Sequence, residues 1–270
     1  MSKLWLIGGT QESRQLVEQW HQQFSEATPQ PGCIVTVTTA AARSLYPGSP
    51  HLQVQVGHLT SAQVDDFMVE NGIGAVLDMS HPFATEISQL AIALVQHHQL
   101  PYLRYERPRV SVPQAGWRDR RGRPGFVCVS QLQDVLTQEF LGTDRTLLTL
   151  GYRQLPVFAP WQSRAALFAR ILPSPVALHT ALQAGFKPAN LIGLRPPISV
   201  DLEKALWRQW QITQIVTKAS GQPGGQDYKQ ILAAAMGMRL IQIERPAIAY
   251  PKQTDDLDTA LQFALRYGSG

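Results

Sequence analysis

Near its start the chain carries the stretch Leu4-Trp5-Leu6-Ile7-Gly8-Gly9-Thr10-Gln11-Glu12-Ser13-Arg14. The apolar run before the glycines is too short for a helix and is typical of a buried strand. After the turn, Gln15-Leu16-Val17 and Trp20 fit one face of a helix. The stretch therefore predicts a strand, a glycine turn and a helix, the unit from which α/β folds with parallel sheets are built.

The glycine turn is a candidate site for a phosphate. Gly8 and Gly9 can take backbone angles that other residues resist, and they let a ligand lie against bare backbone. The helix that follows directs free N–H groups and the positive end of its dipole towards the turn. The second half of the dinucleotide pattern G-x-G-x-x-G is missing, so an ordinary strand-to-helix turn remains the alternative.

The composition is that of a folded globular protein with room for two lobes. The chain has 270 residues, of which 44% are hydrophobic and 16% are charged, and its net charge is +4. No apolar run is long enough to cross a bilayer and no signal precedes the first strand, so we expect a cytoplasmic protein without a membrane partner. The modest positive charge agrees with an anionic small ligand and does not argue for nucleic acid. Cys33 and Cys128 stand in strand-like runs, and we expect both to be reduced core residues.

The second predicted strand, Ile34 to Thr38, is followed by a loop that bears on the choice of cofactor. In an NAD site, an acidic residue after this strand binds the ribose hydroxyls. Here the loop carries Thr39 and Arg43 and has no acid. A hydroxyl and an arginine would suit the 2′-phosphate of NADPH, whereas a solvated loop arginine is the alternative.

Reactive side chains also follow the fourth predicted strand, Ala75 to Leu77. Asp78, Ser80 and His81 are expected at the carboxyl end of that strand, where open α/β sheets bind ligands. His81 is a candidate proton donor or ligand contact, unless it only shapes the start of the next helix. The pair His97-His98 falls at a helix end and lacks partners with metal-ligand spacing, so we expect no metal site.

The second half of the chain repeats the alternation of strands and helices, and it ends in a helix near residues 254–266. The sequence therefore predicts two Rossmann-like lobes with mainly parallel sheets and a cleft between them. We place a dinucleotide-binding lobe at residues 1–125 and a substrate lobe at residues 126–270. The lobes would be joined by an arginine-rich stretch near residues 108–125, whose charges are either solvated or form a basic rim for an acidic ligand.

A second glycine-rich loop follows the predicted strand at residues 212–217. It runs Lys218-Ala219-Ser220-Gly221-Gln222-Pro223-Gly224-Gly225 and opens a helix. The lysine, the hydroxyl and the bare glycine backbone suit an anion. The loop is not a Walker loop, because its lysine precedes the glycines.

Together these segments resemble the precorrin-6A reductase family of cobalamin biosynthesis, including its cobalt-precorrin-6A members. They occur in family order and span nearly the whole chain. The matching pieces are Ile7-Gly8-Gly9-Thr10 with Glu12 and Arg14; Gly57 with Leu59-Thr60; Asp78 with His81-Pro82-Phe83-Ala84; Tyr102-Leu103-Arg104 with Glu106-Arg107-Pro108; Gly151-Tyr152-Arg153 with Leu155; Arg170 with Pro173; Thr217-Lys218 with Ser220-Gly221, Gly224-Gly225 and Lys229; and Arg245-Pro246.

The resemblance implies an enzyme that uses a reduced nicotinamide cofactor, NADPH with NADH as the alternative, to reduce one double bond of a contracted tetrapyrrole. Precorrin-6A, or its cobalt form, would become precorrin-6B. The catalytic candidates are His81 and Lys218. The cofactor-binding candidates are Gly8, Gly9, Thr10, Glu12, Arg14, Thr39, Arg43 and Ser80. The substrate-binding candidates are Arg104, Tyr152, Ser220, Gly221, Gly224 and Gly225. We expect a monomer whose partner is the polycarboxylate ring.

The chain departs from the family pattern at several positions, mostly in the second lobe. Ala219 stands where an acid often follows the family lysine, and His58 replaces a frequent arginine. Leu194-Arg195-Pro196-Pro197-Ile198-Ser199 and Glu203 differ from a common Gln-Gly-Pro-Phe-Ser pattern that continues with Asn. Two other functions stay open: a two-lobed nucleotide-sugar transferase, and a non-enzymatic dinucleotide sensor.

Overall fold

The computed structural model describes residues 2–23, 32–110 and 116–268, which form two compact units. Residues 1–108 and 247–270 make up the first unit, and residues 109–246 make up the second. Each unit is built on a six-stranded sheet, and all strand pairs are parallel. The predicted α/β class with two parallel sheets is confirmed.

Strands and helices alternate along most of the chain. The strands are β1 (Lys3–Ile7), β2 (Cys33–Val37), β3 (Leu52–Val56), β4 (Ile73–Asp78), β5 (Tyr102–Tyr105), β6 (Phe126–Val129), β7 (Arg145–Leu148), β8 (Ala166–Ile171), β9 (Leu191–Gly193), β10 (Gln214–Lys218), β11 (Arg239–Ile243) and β12 (Gln253–Thr254). The helices are α1 (Gln11–His21), α2 (Ala40–Arg43), α3 (Ser61–Glu70), α4 (Thr85–His97), α5 (Gln138–Leu141), α6 (Pro175–Gln183), α7 (Val200–Gln209), α8 (Gln226–Ala235) and α9 (Leu257–Gly268). Shorter-pitch 3-10 helices cover Leu132–Val135, Tyr152–Trp161, Pro188–Asn190 and Gln222–Gly224.

The first sheet has the order β12-β5-β4-β1-β2-β3, which without β12 is the order of a Rossmann sheet. Apolar side chains of α1, α2 and α9 pack on one face of the sheet, and those of α3 and α4 pack on the other. Because both faces are covered, the central strands are buried throughout, as parallel strands usually are.

The second sheet has the order β6-β11-β10-β7-β8-β9. One of its faces packs against α7 and α8, where Trp207 and Leu232 meet Leu147, Ile215 and Leu240 of the central strands. The chain moves outward through β7, β8 and β9 and then returns to β10 on the other side of β7. This reversal between β7 and β10 creates the switch point at which parallel sheets usually bind ligands.

The domain division differs from the one expected at residue 125. The last residues belong to the first unit, because β12 pairs with β5 and the buried Ala260 and Ala264 of α9 lie in the first sheet's core. Residues 109–125 belong to the second unit, where Trp117 donates to the Met238 carbonyl at 3.0 Å. Residues 111–115 of the expected linker lie outside the described part of the chain.

The two cysteines are free, and only one of them is the buried core residue that the sequence predicted. Cys33 is buried, as expected for a core residue. Cys128 is exposed, because it lies on β6, an edge strand that pairs only with β11 in the second sheet. Among the described helices none is long and apolar enough to cross a membrane.

Candidate functional site

The first sheet brings the glycine turn and the segment after β4 together. β1 and β4 are neighbours, and the chain order reverses between them. The carboxyl ends of these strands carry Gly8-Gly9-Thr10 and Met79-Ser80-His81, and the two segments are tied by a 2.9 Å hydrogen bond from the Thr10 hydroxyl to the Met79 carbonyl. Crevices at such reversals are the usual ligand sites of open parallel sheets.

The N–H groups of the glycine turn are all occupied by the protein itself. Gly8 donates to the Thr36 carbonyl at 3.0 Å, and Gly9 donates to the Tyr46 hydroxyl at 2.7 Å. Thr10 donates its N–H to Ser13 Oγ at 3.1 Å. A phosphate at this turn would therefore have to use donors other than the N–H groups of Gly8, Gly9 and Thr10.

The donors that remain lie one step further along the chain. Within the described residues, the N–H groups of Gln11 and Glu12 have no partner, because the first turn of α1 has no preceding helical carbonyls. Gly9 has φ +93, and a Cβ on it would meet nothing within 4 Å, so open space lies beside the turn. These features fit a phosphate at the start of α1.

Three side chains assigned to the cofactor are committed to the protein. Thr10 caps α1 by accepting the Ser13 N–H at 3.2 Å. Glu12 is buried and accepts from Arg107 Nη2 at 2.9 Å. Arg14 pairs with Glu18 one turn later in α1, at 2.8 Å. Thr10 and Glu12 thus shape the turn, and Arg14 lies on an exposed face of the helix.

A buried network occupies the end of β4. Asp78 accepts from Ser88 Oγ at 2.6 Å and from the Tyr102 hydroxyl at 2.9 Å. Arg104 donates to Asp78 Oδ1 at 2.8 Å and to Ser80 Oγ at 2.9 Å. The Arg104 side chain is 1% exposed and also pairs with Glu106. Arg104 was expected to bind substrate, but its guanidinium is buried and holds Asp78, the last residue of β4, and Ser80 of the loop that follows instead.

His81 is the exposed member of the same loop. Its Nδ1 accepts the Phe83 N–H at 3.2 Å, so a neutral ring carries its proton on Nε2. α4 begins only at Thr85, so Pro82 lies in the turn before the helix and not in its first turn. The imidazole therefore lies on a short turn beside the strand reversal, the point between β1 and β4 at which the strand order of the first sheet reverses. There it can reach a ligand.

Thr39 and Arg43 lie at the two ends of α2, beyond the carboxyl end of β2. The Thr39 hydroxyl caps this short helix by accepting the Ala42 N–H at 3.2 Å. Arg43 is exposed, and its Nη1 reaches the Val54 carbonyl at 3.3 Å. No acid follows β2 before this helix, so the loop keeps the positive character that the sequence indicated.

In the second sheet, Lys218 ends β10 and the segment Gly151-Tyr152-Arg153 follows β7, so both stand at the strand reversal. Burial, together with the nearby positive charge of Arg153, lowers the pKa of Lys218 to about 8. Tyr152 is partly buried, and its ring lies under the Arg153 guanidinium at 5.9 Å. Two cations and an aromatic ring thus meet at this edge of the sheet.

The glycine-rich loop after Lys218 is a compact turn held by its own groups. Ser220 donates its hydroxyl to the Lys218 carbonyl at 3.2 Å, and Gly221 donates its N–H to Gln226 Oε1 at 2.9 Å. Gly225 has φ +68, and a Cβ there would run into the Tyr228 ring. A Cβ on Gly224 would meet the Ser220 side chain. The glycines are therefore needed by the turn itself.

A buried charged cluster beside this loop was not identified from the sequence. It consists of Arg170 on β8, Glu203 on α7, and Tyr228 and Lys229 on α8. Arg170 is paired with Glu203, and Lys229 Nζ donates to the Gly224 carbonyl at 2.8 Å. Burial lowers the pKa of Lys229 to about 7, and Arg170 acts in the same direction. The one signal was Arg170 itself, since a charge inside a buried strand needs a partner.

Comparison with known proteins gives consistent matches over nearly the full length. Residues 3–264 match the family model described as precorrin-6x reductase CbiJ/CobK. The chain is 42% identical to the cobalt-precorrin-6A reductase of Synechocystis sp., over 99% of this chain and 97% of that protein. It is 32% identical to the cobalt-precorrin-6A reductase of Priestia megaterium, over 91% of each chain. Among solved structures, CobK precorrin-6A reductase matches with a TM-score of 0.75 and 23% identity, covering 100% of this chain and 98% of that one.

Proposed function

The chain belongs to the precorrin-6x reductase family, and on this premise we propose that it is an NADPH-dependent reductase that converts precorrin-6A, or its cobalt form, to precorrin-6B. Membership makes it an oxidoreductase of cobalamin biosynthesis. The observation that carries the proposal is the family match over residues 3–264, which includes both strand reversals described above.

The first unit is proposed to bind the cofactor. The N–H groups of Gln11 and Glu12 at the start of α1 offer a phosphate two donors and the positive end of a helix dipole. Arg43, exposed at the end of α2 in a segment without acids, would bind the 2′-phosphate that distinguishes NADPH from NADH. A bound reduced nicotinamide supplies a hydride.

The second unit is proposed to bind the ring. Lys218 and Arg153 stand at one sheet edge, and carboxylates of a tetrapyrrole would pair with such donors. A fixed cationic edge holds the ring still, and position is what hydride transfer chiefly requires. Tyr152 adds an aromatic surface beside the same cations.

Reduction of a carbon–carbon double bond needs a proton as well as a hydride. His81 is the proposed proton donor, because its imidazole is exposed at the first strand reversal. The protonated imidazolium would give one proton to the substrate carbon and return to the neutral imidazole. After the transfer the imidazole of His81 regains a proton from water, because His81 lies at the surface. Hydride and proton together reduce the carbon–carbon double bond without leaving a charge on the tetrapyrrole.

The test mixes the purified protein with NADPH or NADH and with precorrin-6A or cobalt-precorrin-6A, and follows cofactor oxidation together with ring absorption. Oxidation that depends on one of the rings supports the proposal. A protein that binds the dinucleotide without turnover is a sensor, and one that binds a nucleotide-sugar but oxidises no cofactor is a transferase. His81→Asn should lower kcat at least about tenfold, a typical share for one acid–base group, while leaving NADPH affinity unchanged.

A further inference from the structure

The hydroxyl of Tyr46 lies inside the glycine turn of the first unit. Tyr46 follows α2 and is 8% exposed, in the core shared by the first sheet and α1. Its Oη sits directly over Gly8, where any Cβ would collide with it. The phenol therefore takes the space that the absence of a side chain on Gly8 leaves free.

The N–H and hydroxyl groups of this turn are hydrogen-bonded in series. The Ser13 hydroxyl donates to the Thr10 carbonyl at 2.8 Å and also accepts the Thr10 N–H. When the hydroxyl hydrogen of Ser13 points at the Thr10 carbonyl, Tyr46 donates to Ser13 across the 2.7 Å contact between the two hydroxyls. Tyr46 in turn accepts the Gly9 N–H at 2.7 Å. A continuous chain runs from Gly9 through Tyr46 and Ser13 to Thr10.

This chain determines which backbone groups face outward. It holds Gly9 at φ +93 with its N–H turned inward. It also holds the N-terminal turn of α1 through Ser13, which is 0% exposed. The only N–H groups of the turn and of the first helical residues that remain without a partner within the described residues are those of Gln11 and Glu12.

We propose that Tyr46 is a positioning residue for the cofactor: its hydroxyl locks the glycine turn so that α1 presents the Gln11 and Glu12 N–H groups to the cofactor's phosphates. The proposal rests on the proposed function, because it takes the start of α1 as the phosphate site. Tyr46 acts through Gly9 and Ser13 and does not itself contact the ligand. The alternative is that its hydroxyl occupies the place of a phosphate oxygen and must leave when the cofactor binds.

The test measures the Kd of NADPH for the parent protein and for Tyr46→Phe, which keeps the buried ring and removes the hydroxyl. Loss of the lock should raise the Kd at least about fivefold, the effect of roughly one hydrogen bond. Ser13→Ala should raise the Kd of NADPH similarly. The double variant should bind NADPH no more weakly than the weaker-binding single variant, because both residues belong to one hydrogen-bond chain.

Tyr105→Phe is the matched control. Tyr105 is 9% exposed in the same core, and neither Gly9 nor Ser13 is bonded to it within the described residues. It should leave the Kd of NADPH unchanged. In steady state, Tyr46→Phe should raise the KM for NADPH far more than the KM for the ring, a split that general loss of stability would not produce.

The outcomes separate the two proposals. If the parent protein binds no NADPH, the cofactor assignment fails and the inference fails with it. If the parent binds but Tyr46→Phe binds equally well, the lock is refuted while the function stands. Tighter binding by Tyr46→Phe would show that the hydroxyl competes with the phosphate. Should Tyr46→Phe fold poorly, Ser13→Ala and hydrogen exchange of the segment around Gly9 decide, because the lock predicts faster exchange in that segment.

Discussion

Arg104 and Asp78 are register partners on β5 and β4, and Arg104 Nη1 lies 2.8 Å from Asp78 Oδ1 with their side chains 1% and 0% exposed. The pair sits under the loop that carries Ser80 and His81. Burial of two charges is tolerated only when both are paired and hydrogen-bonded, and here Tyr102 and Ser88 also donate to Asp78.

Arg104→Met should therefore destabilise the first unit strongly, because it leaves the Asp78 carboxylate buried without its cation. We expect a loss of about 3–5 kcal/mol in the free energy of unfolding, measured by urea denaturation. Arg266→Met, which changes an exposed arginine of α9, is the control and should shift stability by less than about 0.5 kcal/mol. Equal effects of the two changes would contradict the buried-pair interpretation.

Gly9→Val should weaken NADPH binding at least about tenfold, or about 1.4 kcal/mol, because a side chain would enter the open space beside the phosphate turn. The positive φ of Gly9 adds a strain of about 1–2 kcal/mol that lowers stability as well. Gly122→Val separates the two effects, since Gly122 also has positive φ and open surroundings but lies in the second unit. That control should lose stability and keep its NADPH affinity, as measured by titration.

Arg43→Ala should reduce the preference for NADPH over NADH, because it removes the cation expected at the 2′-phosphate. The Kd of NADH divided by the Kd of NADPH should fall by about fivefold or more, because the Kd of NADPH rises. Arg266→Ala makes the same change in net charge on α9 and should leave the ratio unaltered. A parent protein that binds both cofactors equally would show that this loop does not read the phosphate.

Lys218→Ala should lower kcat/KM for the ring at least about tenfold and leave NADPH affinity and thermal stability nearly unchanged. Burial lowers the pKa of Lys218 to about 8, so its positive charge is present below pH 8 and is lost as the pH rises through that value. The KM for the ring should therefore rise above pH 8. Lys218→Arg keeps its charge and should flatten that rise. A rise of the same size in both proteins would assign it to another group.

Lys229 should make stability depend on alkaline pH. Its pKa falls from 10.5 to about 7 on folding, so between these values the unfolded chain binds a proton that the folded protein does not. Stability from this group therefore rises with pH from about 7 to 10.5 and is constant below that window. Lys229→Met should make the unfolding free energy depend less steeply on pH between about 7 and 10.5, by up to the equivalent of one bound proton. An unchanged slope in chemical denaturation would show that the lysine stays charged when buried.

The local pattern was enough for most of the fold. The run Leu4–Ile7 and the β-branched run Ile34–Thr38 specify buried strands, because burial on both faces requires continuous apolar residues. Glycine after a strand marks a turn wherever the strand lies. The strands other than β12, their parallel pairing and the positions of both glycine loops were predicted correctly for these reasons, whereas the short strand β12 was not predicted. The match with a known family carried the function beyond what periodicity can say.

Tertiary structure alone decided what those patterns contact. A stripe of apolar residues states that α9 is buried but not against which sheet, and its packing on the first sheet moved the domain boundary. Arg104 was expected to bind substrate and Lys229 was given no role of its own, yet one is buried under a loop and the other beside a glycine turn. Tyr46 stands 37 positions from the Gly9 whose N–H it accepts. Sequence specifies local conformation and burial through nearby residues, whereas such partners are set only when distant segments are brought together by packing.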